Sequence, residues 1–217
     1  MSPERVSSGS PPSTVRLLIV DPLTGEPVAD GAEGEVWIQG PSVAKGYWRN
    51  AEATEATFGA RVRGDEGGGS WLRTGDLARF VENQLYVTGR IKDVVIVGGR
   101  QIYPQDVEEF VQSLDKRLKL GAGIAFGLEA ADGEVLGLAQ ETVLMPQTEQ
   151  RALVGRIRAE VFEAFRVRLH TVLLLKAGGI PKTFNGKLRR SACREAVERG
   201  ELPILYESSV GEIGGIS

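Results

Sequence analysis

The chain has 217 residues, 41% of them apolar and 25% charged, with a net charge of −3. That balance is ordinary for a globular protein with room for one or two small cores, and it excludes a general attraction to nucleic acid. A single cysteine, Cys193, excludes an internal disulfide framework and a multi-cysteine zinc site. No apolar run is long enough to span a membrane, and residues 1–13 are polar without the apolar core of a signal peptide, so a cytoplasmic location is expected.

The first part reads as strands. Val15, Leu17 and Ile19 alternate before a turn marked by Pro22 and Gly25, and Val36 and Ile38 resume the alternation after Asp30-Gly31. Residues 61–70 form a charged, Gly-rich loop. Strand-like runs around Phe80 and over 85–88 flank a polar turn at 82–84. After Gly89 the texture changes. Residues 94–97 predict a buried strand ending at Gly98-Gly99. Pro104 suits the first turn of a helix whose apolar face is Val107, Phe110, Val111 and Leu114. Strands are expected near 123–127 and 135–143. A helix follows over 149–165, capped by Thr148, with the stripe Leu153, Ile157, Val161 and Phe165. A strand over 172–175 and a final helix from about Lys187 complete the pattern. Strands before and mixed elements after predict two units, divided near 89–93.

Four short segments present chemistry. Thr74-Gly75-Asp76-Leu77 is a glycine turn offering a carboxylate, which can accept both hydroxyls of a ribose diol; alone it is equally plain turn chemistry. Gly89-Arg90-Ile91-Lys92-Asp93 places two cations at the unit boundary, as phosphate or ribose donors or as solvated linker residues. Gly98-Gly99 lets backbone turn sharply or approach a ligand, and is otherwise a connection into the helix. The run from Gly178 to Lys187 resembles a phosphate loop, but six residues separate Gly179 from Gly186 and Leu188 stands where a magnesium-binding Ser or Thr belongs. A lysine on a Gly-hinged loop still reaches a phosphate as a point charge. Lys182, Lys187, Arg189, Arg190 and Arg194 form a basic cluster suited to a phosphate or to a solvated helix face. Gly121, Gly123 and Gly127 miss the dinucleotide spacing by one residue. His170 and Cys193, without partner motifs, read as structural.

In order and spacing, TGDL, GRIKD, GGRQIYPQDVE and IPKTFNGK, preceded by GEVWIQGPSVAKGYWRN, resemble the adenylate-forming superfamily of acyl-CoA synthetases, luciferases and peptide-synthetase adenylation domains. The YPQD after the glycine pair is similar to the fatty acyl-AMP ligases. The resemblance covers roughly residues 6–199. It implies an α+β chain in which residues 1–91 are the β-rich, barrel-like end of a large adenylating domain. Residues 92–203 are then the small mixed α/β domain with a central sheet, and 204–217 a tail or linker. It implies that Asp76 and Arg90 hold the ribose of ATP, that Lys92 is the hinge, and that Lys187 bridges the carboxylate and the α-phosphate. Gly98, Gly99 and Tyr103 would form the loop on the acceptor side. Phe184 and Asn185 stand where relatives more often carry small hydroxyl residues.

The same resemblance implies a ligase that uses ATP and Mg2+ to join a fatty acid to AMP, then passes the acyl group to the phosphopantetheine of an acyl carrier protein or to CoA. No metal ligand is expected here. The phosphate loop, the magnesium ligands and the acyl pocket are expected before Met1, in a missing large domain, so the isolated chain is expected to be inactive. The alternative is a non-catalytic fragment or split-enzyme subunit that binds a carrier protein or the large domain.

Overall fold

The computed structural model describes residues 6–65, 68–131 and 133–210. The chain divides into two compact units, with the division between Lys92 and Asp93.

The first unit is built on strands β1 (Arg16–Val20), β2 (Glu33–Gln39), β3 (Leu72–Val81) and β4 (Gln84–Arg90) and one helix, α1 (Ala51–Phe58). The strands form an open antiparallel sheet in the order β1-β2-β3-β4, with no closed barrel among the described residues. Side-chain alternation puts Val20 and Trp37 on one face, with Val62 and Trp71, and Ile19, Val36 and Ala78 on the other, so both faces carry apolar clusters. Glu82 and Asn83, both at positive φ, make the two-residue turn between β3 and β4. Helix α1 was not expected. Asn50 starts it, its Oδ1 accepting from the Ala53 N–H at 3.0 Å, yet none of its residues is buried, which is why no apolar stripe announced it.

The second unit begins with a hairpin, β5 (Val95–Val97) and β6 (Arg100–Ile102), turned by Gly98 and Gly99 at φ 56° and 76°. Both positions need positive φ, the requirement of a type I′ turn, and glycine meets it without strain. Helix α2 (Pro104–Leu114), strands β7 (Leu118–Ala130) and β8 (Gly133–Thr142), helix α3 (Gln147–Phe165), strand β9 (Leu169–Leu175), helix α4 (Arg190–Glu198) and strand β10 (Ile204–Ser209) follow. The sheet order is β10-β9-β8-β7, and only β8 and β9 are parallel, because α3 crosses over between them. On one face α2 and α3 bury the expected residues Val107, Val111, Leu153, Ile157 and Val161 against Leu136 and Leu138. On the other, α4 buries Cys193 and Val197 against Ile124, Phe126 and Leu173.

Four local expectations are corrected. Asp76 lies not in a turn between elements but inside β3, where Gly75 at φ 72° forms a bulge. Helix α3 starts at Gln147 with Pro146 at its cap, since the Pro146 carbonyl takes the N–H bonds of Glu149 and Gln150; Thr148 is inside the helix. Helix α4 starts at Arg190, because Lys187 is held in a hairpin loop. Residues 204–209, expected in the tail, are the edge strand β10, paired with β9. The glycine-rich end of that tail lies outside the described residues.

Candidate functional site

In the first unit, Asp76 and Arg90 are register partners on β3 and β4, and Arg90 Nε lies 2.8 Å from Asp76 Oδ1. The bulge that aims Asp76 is fixed from below by Glu35, whose side chain is buried. Glu35 accepts from the Gly75 N–H at 3.0 Å, from Trp37 Nε1 at 2.9 Å and from Arg73 Nε at 2.9 Å. Thr74 Oγ1 donates to the Val36 carbonyl at 2.8 Å and accepts from the Asp76 N–H at 3.1 Å. Three consecutive residues of the segment 74–76 are thus pinned, and the Asp76 side chain stays partly exposed beside Arg90. Sequence reasoning missed Glu35. The available signal was a carboxylate on a strand whose next same-face neighbour is Trp37.

Lys92 is exposed within a single 3-10 turn, Ile91–Asp93, at the division between the units. A short irregular turn of this kind absorbs backbone rotation at little cost in hydrogen bonds. Gly98 and Gly99 are exposed at the tip of the β5–β6 hairpin, and Tyr103 is half-buried at the cap of α2. Beside Gly98, Arg100, Phe162, Arg168, His170 and Val210 line a concavity of about 750 Å³. The Arg168 guanidinium lies 5.6 Å from the centre of the Phe162 ring. His170 is half-buried, and its Nδ1 is 3.1 Å from Thr171 Oγ1; burial, then the Arg158 guanidinium, holds its pKa below the ordinary value.

Lys187 sits on a tight hairpin. The Thr183 N–H donates to the Lys187 carbonyl at 2.8 Å, the Gly186 N–H to the Thr183 carbonyl at 2.9 Å, and the Lys187 N–H to Thr183 Oγ1 at 3.1 Å. Gly186, at φ 78°, supplies the left-handed residue that closes this turn. The Lys187 side chain is exposed, and among the described residues no carboxylate pairs with it.

Two buried carboxylates hold the feet of this loop. Glu141, fully buried in β8, accepts from the Ile180 N–H at 3.1 Å and pairs with Lys119 at 2.8 Å. Its burial pushes the pKa up, but Lys119 and the N–H groups of Gly178 and Ile180 outweigh that and hold it below the ordinary range. Glu108, on the buried face of α2, accepts from the Ala125 N–H at 2.7 Å and from the Arg190 guanidinium, which follows the loop. Here burial wins over Arg190, and the Glu108 pKa is raised. Neither carboxylate was singled out in sequence. Each stands in an apolar pattern, Glu108 between Val107 and Val111 and Glu141 in the strand run 135–143, and a charge there signals a fixed partner. Cys193 is buried beneath Arg190, and burial pushes its thiol up to about 12, so it is packing and not a nucleophile.

A family model described as AMP-binding enzyme matches residues 2–48. The chain is 39% identical, over 91% of its length and 33% of the relative's, to the medium-chain-fatty-acid–[acyl-carrier-protein] ligase of Moorena producens (strain JHB). It is 40% identical, over 84% of its length and 30% of the relative's, to the 4-hydroxyphenylalkanoate adenylyltransferase of Mycobacterium marinum. A structure from work on fatty acyl-adenylate ligases of E. coli and L. pneumophila superimposes with a TM-score of 0.73 at 29% identity, covering 90% of this chain and 33% of that one. The chain belongs to the adenylate-forming superfamily, and its relatives include fatty-acid ligases. It spans about a third of the length of the curated relatives it matches.

Proposed function

We propose that this chain is the carboxy-terminal portion of a ligase that uses ATP to activate a fatty or related carboxylic acid as its acyl-adenylate and passes the acyl group to a thiol. The observation that carries the reading is Lys187, an exposed cation with no carboxylate partner among the described residues, on a loop anchored at both feet by buried carboxylates. In this reading residues 1–91 end the large adenylating domain, and residues from 92 onward form the small domain, β10 included.

In the first step a substrate carboxylate oxygen attacks the α-phosphorus of ATP, the bond to the bridging oxygen breaks, and pyrophosphate leaves. Lys187 meets the charge that builds on the phosphoryl oxygens; a preorganised donor of this kind is worth about 10²–10³ in rate. Asp76 accepts from the ribose hydroxyls, and Arg90 fixes Asp76 while offering its remaining N–H donors to the nucleotide. In the second step the backbone turns at Lys92 and withdraws Lys187. The hairpin tip at Gly98 and Gly99, with Tyr103, comes to the acceptor side. The acceptor thiol loses its proton, its sulfur attacks the acyl carbonyl, and AMP leaves. The cationic rim of Arg100 and Arg168 beside Gly98 suits the phosphate of a pantetheine arm, borne by a carrier protein or by CoA.

Magnesium supplies charge neutralisation in phosphoryl transfer. Among the described residues no group of three His, Cys, Asp or Glu side chains forms a metal site, and no step here runs through the ion. Among the described residues no helix is long and apolar enough to cross a membrane.

The test is pyrophosphate release with ATP, magnesium and a panel of fatty acids. The 217-residue chain alone is expected to be silent, and the same chain joined to a relative's large segment is expected to turn over. Robust turnover by the chain alone, abolished in Lys187→Ala, would show that it is a minimal enzyme and that the division of labour proposed here is wrong.

A further inference from the structure

Arg190 is the first residue of α4, three positions after Lys187, and its side chain is 19% exposed. Its guanidinium donates to both Glu108 oxygens, and to the Ala125 carbonyl at 2.9 Å, so the fork is fixed to α2 and β7 at once. The Arg189 N–H beside it closes the lysine loop on the Pro181 carbonyl at 3.0 Å. One donor remains. Arg190 Nε is buried and has no hydrogen-bond acceptor, while Asp93 Oδ2 lies 3.6 Å away, beyond hydrogen-bond reach but within ion-pair distance. Asp93 is the residue directly after Lys92 and closes the 3-10 turn. A buried guanidinium N–H without a partner is costly, and an approach of a few tenths of an ångström by the neighbouring carboxylate would satisfy it.

We propose that Arg190 is a positioning residue that couples the turn at Lys92 to the loop bearing Lys187. Its fork is held on Glu108 and Ala125, and its remaining Nε–H is the donor onto which Asp93 closes when that turn rearranges. Hinge and lysine loop are then joined by side chains although 94 positions separate Asp93 from Lys187 in sequence. A rearrangement at Lys92 reaches the reaction lysine through a charge-assisted contact and not only as rigid rotation. The proposal rests on the reading of Lys92 as hinge and Lys187 as reaction lysine for its meaning, but the coupling itself needs neither ATP nor turnover.

The experiment is amide hydrogen exchange on the full 217-residue chain, comparing the unaltered protein with Asp93→Asn, Asp93→Glu and Arg190→Lys. Asp93→Asn leaves the Arg190–Glu108 fork in place and so spares the core. It is expected to speed exchange at the Lys187 and Arg189 amides by roughly three- to tenfold, through loss of the ion pair between Asp93 and Arg190. Amides of β8 and α3 should stay as protected as before, with an unchanged melting temperature. Asp93→Glu, which keeps the carboxylate, should restore loop protection. Arg190→Lys, which keeps the charge and loses the fork, should loosen both the loop and the turn at 91–93. If Asp93→Asn alters exchange only at 91–95 and leaves the loop as it was, or if every variant changes all amides equally, the coupling does not exist. If the coupling is found but Lys187→Ala leaves adenylation intact in the restored ligase, it is the assignment of Lys187 that fails, not the coupling.

Discussion

Arg90 Nε lies 2.8 Å from Asp76 Oδ1, across a register pair that joins the bulge of β3 to the last residue of β4. Both side chains are partly exposed, so this pair contributes little to stability. Its effect is to fix the direction of a carboxylate.

If that carboxylate takes the ribose hydroxyls, Asp76→Ala in the restored ligase removes hydrogen bonds to a charged acceptor. The apparent affinity for ATP should fall by roughly ten- to a hundredfold. The acid's KM should change little. Steady-state kinetics in ATP and in fatty acid, varied separately, check this; an unchanged KM for ATP contradicts the assignment.

Glu35→Ala should do something different. It leaves the Gly75 N–H and Trp37 Nε1 without their acceptor and strips Arg73 of its partner. The expected cost is about 3 kcal/mol, confined to the first unit. Denaturant unfolding followed by tryptophan fluorescence reads it, because Trp37 and Trp71 both lie in that unit's core.

These two residues also mark where the sequence was legible. Asp76 was singled out because its motif is local, four residues with a glycine. Glu35 was missed because its meaning comes from Gly75, 40 positions on. The same division holds in the second unit. Helices α2 and α3 were legible from apolar residues at helical spacing, and the Gly98-Gly99 turn from two adjacent glycines. Strand β10 was not, because its residues are half-buried or exposed at a sheet edge and its apolar run, Ile204 to Tyr206, is too short a pattern to stand out from a tail. The two buried carboxylates under the lysine loop were hidden because their partners come from other strands and helices, with separations of 39 and 82 positions.

Acid stability has a contributor with a defined window in Asp115. The Arg117 side chain and its backbone N–H hold Asp115 well below the usual carboxylate range, at about 2. A carboxyl whose folded pKa is depressed stabilises the fold above its unfolded value, and that contribution is lost as pH falls through the folded value. The loss therefore falls between about pH 4 and pH 2. Asp115→Asn should flatten the stability profile in that window and destabilise the protein at neutral pH. Melting temperatures from pH 2 to pH 7 test it; an identical acid limb in the variant contradicts it.

Lys92→Pro addresses the turn between the units. Proline fixes φ and removes the N–H, so it restricts rotation at that residue. In the restored ligase the variant should still form acyl-adenylate and transfer it poorly to the thiol. Equal loss in both half-reactions would remove Lys92 from the role of hinge.

The central claim is that Lys187 serves the first half-reaction and not the second. The measurement is the rate of each half-reaction in Lys187→Ala of the restored ligase, one by pyrophosphate release and the other by thioester formation from presynthesised acyl-adenylate. Adenylation should fall by about 10²–10³ or more, the usual effect of deleting one preorganised donor to developing charge, while transfer stays close to normal. Adenylation at the unaltered rate, or an equal fall in both steps, would contradict the account.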